Sequence, residues 1–348
     1  MLRYLTAGES HGKGTVVILE GMPAGLSIDV ETINKELKRR QQGFGRGKRM
    51  QIEQDSAQII SGLKKGITLG SPLSLVVLNK DSSIEKLAKV ICPRPGHADL
   101  PGILKYGFSD IREVLERASA RSTVALVGIG ALCKIFLREF NISISSSVVS
   151  VGGESSKQRI IAQITRAMQA KDTLGGVFEV EITGAPIGLG SYAHPDRRLD
   201  GRLAQGIMAI PGIKAVEIGL GFGYAQKFGS ETHDAIYYSR NKGYYRNTNN
   251  AGGIEGGISN GENIILRACM KPISTLMHPL DSVDITSKKA SKAAVERSDV
   301  CVVEAAGVVA ESAAAFEVAR AFLEKFGEDN LGDIKNAYKA YLIRLKKA

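Results

Sequence analysis

Arginine and histidine recur in this chain where glycine and proline keep the backbone turning, a combination suited to holding anions and moving protons. Residues 93–121, PRPGHADLPGILKYGFSDIREVLERASAR, carry Arg94, His97, Arg112, Arg117 and Arg121. A second stretch, Gly8-Glu9-Ser10-His11-Gly12-Lys13-Gly14, sets a hydroxyl beside an imidazole at a bend. Its three glycines in seven residues permit sharp turns and close approach of a ligand. A third, Gly43-Phe44-Gly45-Arg46-Gly47-Lys48-Arg49, joins Arg39 and Arg40 to place five basic side chains in eleven residues. Guanidinium groups grip carboxylate and phosphate bidentately, and imidazole is the side chain suited to proton transfer near neutral pH.

Each stretch also has an ordinary reading. Glu113 with Arg117, and Glu116 with Arg112, have the spacing of helix-face ion pairs. That leaves Arg121 without a sequence-local partner where the segment turns apolar, and an unpartnered buried charge is costly. Ala118, Ser119 and Ala120 are small enough to admit a flat or anionic ligand. An anion site is therefore favoured over a solvated face. The Ser10-His11 bend is either a reactive loop or a hairpin with an incidental histidine; it is not a P-loop, because no Gly-Lys-Ser/Thr ending follows. The 43–49 loop is either a solvated basic patch with RNA-binding character or a lid that closes on an anion.

These residues need a scaffold. Residues 93–108 read as loop from their proline and glycine content. Ser109 or Asp110 then caps one helix that runs through ERASARSTVALVGIGALCKIF and lies inside the molecule. Residues 1–20 read as strand, loop, strand, and 30–42 as a helix starting near Asp29. Strands follow within 51–80, then loop and helix over 81–91. After the buried helix come a strand in ISISSSVVSVGG, a helix over 155–171, the strand VFEVEITG and a helix-like segment over 199–209. Strands within 212–223 and in NIILRACM flank a Gly/Asn-dense loop over 240–262, and the tail over 305–345 reads as one or two amphipathic helices. Gly184-Ala185-Pro186-Ile187-Gly188-Leu189 echoes the GxPxGL of residues 21–26, each copy after a β-rich run and before a helix. The echo implies a duplicated half and an internal pseudo-twofold, so residues 1–348 are expected to form one α/β domain of two similar halves.

Composition narrows the classes. The chain has 348 residues, 43% hydrophobic and 24% charged, which is ordinary for a globular protein. The net charge of +10 suits nucleic acid, anionic membrane or anionic small molecules, but tryptophan is absent and aromatics are sparse, which argues against base-stacking platforms. Cys92, Cys133, Cys269 and Cys301 form no CxxC pair, so no zinc site is expected. No apolar signal core opens the chain, and the apolar run over 124–133 is short for a bilayer, so a cytoplasmic location is expected.

Longer ordered motifs carry a resemblance. YLTAGESHG, RRQQGFGRG, RPGHADL, ERASARS, KAVEIGLGF, TNNAGGIEGGISNG, KPISTL and ERSDVC together resemble the chorismate synthase family over most of the chain. The resemblance implies a helical core sandwiched between two antiparallel sheets, an α/β (α+β) fold with internal pseudo-twofold symmetry, and homotetramers. It implies conversion of 5-enolpyruvylshikimate 3-phosphate to chorismate and phosphate by an anti-1,4-elimination with reduced FMN and no net redox change. Substrate and FMN together bring roughly five to six negative charges, counting each phosphate at about −1.5 to −2. By the same resemblance substrate binding falls on Ser10, Arg40, Arg46, Arg49, Arg94, Arg112, Arg121 and Arg297. FMN contacts fall on Arg117, Ala118, Ser119, Pro211, Gly212, Gly256, Lys271, Pro272, Ile273, Ser274, Thr275 and Arg297. His11 is expected to protonate the departing phosphate, His97 to manage a proton on the reduced flavin, and Asp299 to assist removal of the substrate hydrogen. His194, His233 and His278 match no family motif and are expected at the surface or in structural roles. Pro211-Gly212 stands where the family usually has Asn-Ala, and the segments over 81–92 and 153–171 are short for bacterial members. No flavin-reducing domain is visible, so an external, NADP-linked reductant is expected, with neither nucleic acid nor membrane as partner. The rival classes are a basic nucleic-acid-binding protein and a phosphate-ester lyase of another pathway.

Overall fold

The computed structural model describes residues 1–47, 54–296 and 298–347. Strands β1 (Arg3–Ala7), β2 (Gly14–Glu20), β3 (Ala57–Ser61) and β4 (Leu73–Leu78) form one sheet in the order β1-β2-β4-β3. Strands β5 (Ser143–Val151), β6 (Gly176–Thr183), β7 (Ile213–Ile218) and β8 (Ile264–Met270) form a second in the order β5-β6-β8-β7. Every neighbouring pair in both is antiparallel. The period-2 alternation expected of one-sided sheets is present: Thr15, Val17 and Leu19 of β2 are buried while Val16 and Ile18 face outward.

The main helices are α1 (Val30–Gln41), α2 (Asp99–Tyr106), α3 (Arg112–Ala118), α4 (Thr123–Arg138), α5 (Lys157–Ala170), α6 (Leu199–Met208), α7 (Val303–Phe326) and α8 (Leu331–Leu345). Asp29 caps α1 by accepting the Glu31 N–H. The central pair is α4 against α7; α4 also meets β2 and β4 of the first sheet, and α7 meets β5 and β6 of the second. Because both are covered on nearly all sides, α7 is buried around its circumference rather than amphipathic, and its many alanines let neighbours come close. Residues 112–138 satisfy the length and composition of a membrane span, but 78% of the apolar window is buried inside the molecule.

The GxPxGL echo has a structural counterpart down to individual hydrogen bonds. In the first copy Thr68 Oγ1 donates to the Pro23 carbonyl at 2.6 Å and accepts the Leu26 N–H at 2.8 Å. The Gly25 N–H donates to the Thr68 carbonyl at 3.0 Å. In the second copy Ser259 Oγ donates to the Pro186 carbonyl at 2.6 Å and accepts the Leu189 N–H at 2.8 Å. The Gly188 N–H donates to the Ser259 carbonyl at 2.8 Å. Gly25 and Gly188 have φ of +91° and +93°, a region that favours glycine, which explains the spacing of the motif.

The chain departs from the sequence expectations in four places. The 240–262 segment is not all loop, because Gly243–Arg246 pairs with Ile236–Ser239 in one hairpin and Ile254–Glu255 with Ile258–Ser259 in another. The single helix expected from Ser109 or Asp110 onward is broken: α3 ends at Ala118, Ser119 is extended, and a 3₁₀ turn over Ala120–Ser122 leads into α4. Ser119 makes the break by capping the next turn through the Arg121 N–H, as a serine in an extended conformation can. The 93–108 segment is not all loop, because α2 starts at Asp99; Pro101 sits in its first turn, where no backbone donor is required. Residues 81–91 hold only a 3₁₀ turn at Ile84–Lys86.

The crossing of α4 and α7 rests on a missing side chain. A Cβ on Gly130 would lie 2.2 Å from Ser312 Cβ, whereas one on Gly206 of α6 meets nothing closer than 3.5 Å. Gly130→Val is expected to force the two helices apart and destabilise the fold by about 1–3 kcal/mol or more. Gly206→Ala should be neutral or stabilising by up to about 1 kcal/mol through helix propensity. Urea midpoints measured at unchanged slope decide both.

Candidate active site

The Ser10-His11 bend joins β1 to β2 and is shaped from outside. Asn79, at the end of β4, donates its side-chain amide to the carbonyls of Glu9, Ser10 and Gly12 at 3.1, 3.3 and 2.8 Å. Helix α3 holds the bend from the other side. The His11 N–H donates to Glu116 Oε2 at 2.7 Å, and His11 Nδ1 lies 2.9 Å from Glu116 Oε1. The Ser10 N–H donates to the Glu116 carbonyl, and Ser119 Oγ donates to Ser10 Oγ at 3.1 Å. The break at Ser119 is therefore what carries that hydroxyl to the bend. Burial works against the Glu116 charge, but the His11 ring and N–H and the nearby Arg112 outweigh it and hold the carboxyl below its usual pKa.

Beside the bend is a buried cation cluster. Asp55 accepts from Arg40 Nη2 at 2.7 Å on one oxygen and from Arg121 Nη1 at 2.6 Å on the other. Arg121 Nε donates to Asn79 Oδ1 at 2.9 Å, so one asparagine connects the bend to the cluster. Arg40, Arg121 and Asp55 are each less than a tenth exposed. Burial pushes the Arg40 pKa down, Asp55 opposes this, and the charges of Arg121 and Arg46 reinforce the depression. Arg46 lies 3.6 Å from Asp299, whose other oxygen accepts the Gly47 N–H. Arg112 Nη2 donates to Glu296 Oε1 at 2.8 Å. Buried Arg40 Nε, Arg46 Nε and Arg112 Nη1 have no hydrogen-bond partner among the described residues. Such donors are normally satisfied, so the cluster suits an anionic ligand.

A second set gathers around the start of α2. Asp99 takes the Arg94 N–H, Nε and Nη2 at 3.0, 2.8 and 3.0 Å and also contacts His97 Nδ1. Arg94 Nη1 donates to Thr275 Oγ1 at 2.8 Å. Lys271 Nζ donates to the Gly96 carbonyl, and the Lys271 N–H to the Gly212 carbonyl at 3.0 Å. Partial burial and then the charge of Lys214 lower the Lys271 pKa, so two ammonium groups stand near one another here. A Cβ on Gly96 would lie 3.7 Å from both Lys271 Nζ and Ser274 Cβ.

The structure thus brings Ser10, His11, Ser119, Arg40 and Arg121 into one neighbourhood linked by Glu116, Asn79 and Asp55, with Ala118 on the turn before Ser119; the charge of Arg112 acts on Glu116, and Arg46, paired with Asp299, is close enough for its charge to act on Arg40. It brings Arg94, His97, Gly212, Lys271, Ser274 and Thr275 into the second, with Pro211, Pro272 and Ile273 on the same two turns. Arg117 borders the first set from outside, donating to the Gly8 carbonyl at the start of the bend at 2.9 Å and to the Thr6 carbonyl at 3.1 Å. Gly256 sits at the tip of the 254–259 hairpin, where a Cβ would meet nothing within 4 Å. Arg49 and Arg297 lie outside the described residues, as does the 48–49 end of the basic loop. His194, His233 and His278 are exposed.

Several sequence pairings are corrected. Glu116 serves His11 rather than only Arg112 on its own helix. Arg121 has Asp55 and Asn79. Arg39 turns away from the basic loop to Glu311 and Glu36. Asp55, Asn79, Glu116 and the bridging role of Asp99 escaped sequence reasoning. Asp55 and Asn79 carry no local signal; Glu116 and Asp99 each lie within two residues of recognised motif arginines or histidines, but their partners are set by the fold.

The family model described as chorismate synthase matches residues 2–323. A chorismate synthase of Caldanaerobacter subterraneus subsp. tengcongensis is 53% identical over 344 residues, covering 98% of each chain. One of Thermoanaerobacter pseudethanolicus is 51% identical over 348 residues, covering 99% of each. A solved crystal structure of chorismate synthase superposes with a TM-score of 0.83 at 40% identity, covering 100% of this chain and 99% of that one. These likenesses place the fold in a class of enzymes, the lyases acting on phosphate. Within that class, the chain belongs to the chorismate synthase family.

The Arg94–His97–Asp99 set yields a pH prediction. Burial opposes the Asp99 charge, but His97 and Arg94 overcome it and hold the carboxyl well below its usual range. With the folded pKa below the unfolded value near 3.9, the stabilisation is fully present above about pH 5. It is lost as pH falls through 4 toward the folded value. The stability gap between the parent and Asp99→Asn, measured by urea unfolding, should be large at pH 7 and clearly smaller at about pH 2.5. An equal gap at both would count against this account.

Proposed function

We propose that this protein converts 5-enolpyruvylshikimate 3-phosphate to chorismate and phosphate by anti-1,4-elimination, with reduced FMN as the required cofactor and no net redox change. The observation that carries this reading is the buried cation cluster beside His11, with guanidinium donors of Arg40, Arg46 and Arg112 left without protein partners among the described residues. A substrate with two carboxylates and a phosphate answers that surplus of donors. In this reading Arg40, Arg46, Arg49, Arg94, Arg112, Arg121 and Arg297 bind the substrate with Ser10.

The second set suits a flavin phosphate and ring: the charge of Lys214 acts on Lys271, Thr275 brings a hydroxyl to Arg94, and Gly96 lies against Lys271 and Ser274. Arg117, Ala118, Ser119, Pro211, Gly212 and Gly256, with residues 271–275 and Arg297, complete the proposed contacts. Reduced FMN, when bound, supplies the electron density that a redox-neutral elimination of this kind needs. The protein contributes placement, field and protons. His11 delivers a proton to the departing phosphate. His97 holds a proton on the cofactor side, beside Asp99 and Arg94. Asp299 assists removal of the substrate hydrogen, held by the Gly47 N–H and facing Arg46. We further read the chain as one domain of two similar halves, a cytoplasmic homotetramer that takes reduced flavin from an external reductant.

Anaerobic ultraviolet assay of chorismate formation with chemically reduced FMN tests the reading. Turnover only in the presence of reduced FMN is expected; salt-sensitive oligonucleotide binding without turnover would favour the nucleic-acid rival. The histidines should then separate. His11→Ala should lower the rate by about 10²–10⁴-fold while leaving the spectrum of bound reduced flavin nearly unchanged. His97→Ala should alter that spectrum. If both variants keep parental rate and spectrum, the two roles are wrong.

A further inference from the structure

Glu116 makes contacts that a helix-face glutamate has no reason to make. Its side chain is 3% exposed, and both of its oxygens are directed at one residue. Oε2 accepts the His11 backbone N–H at 2.7 Å, and Oε1 lies 2.9 Å from His11 Nδ1. Its own carbonyl takes the Ser10 N–H at 2.9 Å. The bend is thus pinned to one turn of α3 at three points, and neither the backbone nor the ring of His11 can swing without breaking a buried contact. Arg112, one turn earlier, acts on Glu116 only at a distance, because its ion pair is with Glu296 at 2.8 Å. Asp99 offers a contrast. It too contacts the Nδ1 of a histidine, but three of its hydrogen bonds come from Arg94.

An ionised carboxylate only accepts, so the His11 nitrogen facing it must carry hydrogen. Nδ1 then stays protonated in both the neutral and the cationic ring, and the proton that comes and goes is on Nε2. We propose that Glu116 is the positioning residue of His11: it fixes the Nδ1–H tautomer and the ring's orientation so that Nε2 is the proton-delivering atom. The logic is that of a buried carboxylate orienting a catalytic imidazole in other enzymes. The inference rests on the reading of His11 as the acid in the proposed function.

Glutamine at this position has nearly the same shape but one donor and one acceptor end. With its oxygen on the His11 N–H, its amide NH₂ faces Nδ1, which must then accept, and the ring is driven to the Nε2–H tautomer. The opposite orientation sets NH₂ against the backbone N–H, donor against donor. Nitrogen-15 spectra of the imidazoles in histidine-labelled full-length protein, with His11 assigned by its loss in His11→Asn, test this directly. The parent's neutral His11 ring should be protonated at Nδ1 and bare at Nε2. Glu116→Gln should reverse this and lower kcat with reduced FMN and 5-enolpyruvylshikimate 3-phosphate by about 10²–10⁴-fold, while KM moves less than about threefold. A parent ring protonated at Nε2 overturns the proposal, and needs no variant to fold. So does a Glu116→Gln enzyme that keeps both the parental tautomer and kcat. Parental turnover by His11→Asn instead overturns the acid role of His11 itself, and so separates failure of the proposed function from failure of the Glu116 geometry.

Discussion

Two guanidinium groups, from Arg40 and Arg121, share the two oxygens of one buried carboxylate, Asp55, whose side chain is fully covered. Removing so many charges from water is costly, and the Coulombic attraction recovers that cost only when geometry and hydrogen bonding are good. Asp55 supplies that geometry while neutralising one charge of two. It joins the end of α1 to the 3₁₀ turn before α4, and so sets the separation of two arginines that lie far apart in the chain. Arg121 then reaches Asn79, and Asn79 shapes the Ser10-His11 bend. The path from Arg40 to His11 is continuous, and each link is a hydrogen bond between buried or half-buried groups. The Arg40–Asp55–Arg121 cluster assembled this way is preorganised and carries one cation in excess before any ligand arrives, which is the condition for strong electrostatic stabilisation without reorganisation.

The neighbouring arginine shows how close a charge cluster can come to being misread. Arg39 and Arg40 are consecutive on α1, and helical geometry sends consecutive side chains to different faces. Arg40 goes to Asp55. Arg39 goes to Glu311, which also takes Lys134 and Ser146, so that α1, α4, α7 and β5 meet at one wholly buried carboxylate. Hydrogen bonding to Glu311 holds the Arg39 pKa above its ordinary value. One arginine thus fastens the helix to the core, and the other is free of that duty and belongs to the site.

Much of the scaffold was legible because it follows local rules. The β-rich run of β2, the Asp29 cap of α1, and the glycines of GxPxGL each express a backbone or burial requirement within a few residues. The arginines and histidines of the site were legible as types in turning segments. What was not legible depends on contacts distant in sequence. Nothing in the local sequence marks Ser119 as the break in the helix: it caps the next turn through the Arg121 N–H, and its hydroxyl reaches Ser10, more than a hundred residues earlier. Asp55 reads as one more polar residue between a basic loop and a strand until the fold sets it between Arg40 and Arg121. Glu116 has an obvious partner at helical spacing, and the spatial partner, His11, takes precedence because the site there is buried and directional.

The two sheets share a strand order, and the two GxPxGL turns share a hydrogen-bond pattern, yet their loops diverge. In the first half the link from β1 to β2 is the short bend that carries Ser10 and His11. In the second half the corresponding link, from β5 to β6, holds all of α5. The turns that repeat are those that lead from a strand toward a helix along the core, where backbone donors and acceptors must be paired whatever the chemistry. The loops that differ are those whose backbone can be satisfied by a partner brought in from elsewhere: Asn79 and Glu116 for the bend, a helix's own ladder for α5. A scaffold of matching parts therefore yields an unmatched site, because pairing demands constrain the core equally in both halves and leave the connections free to differ.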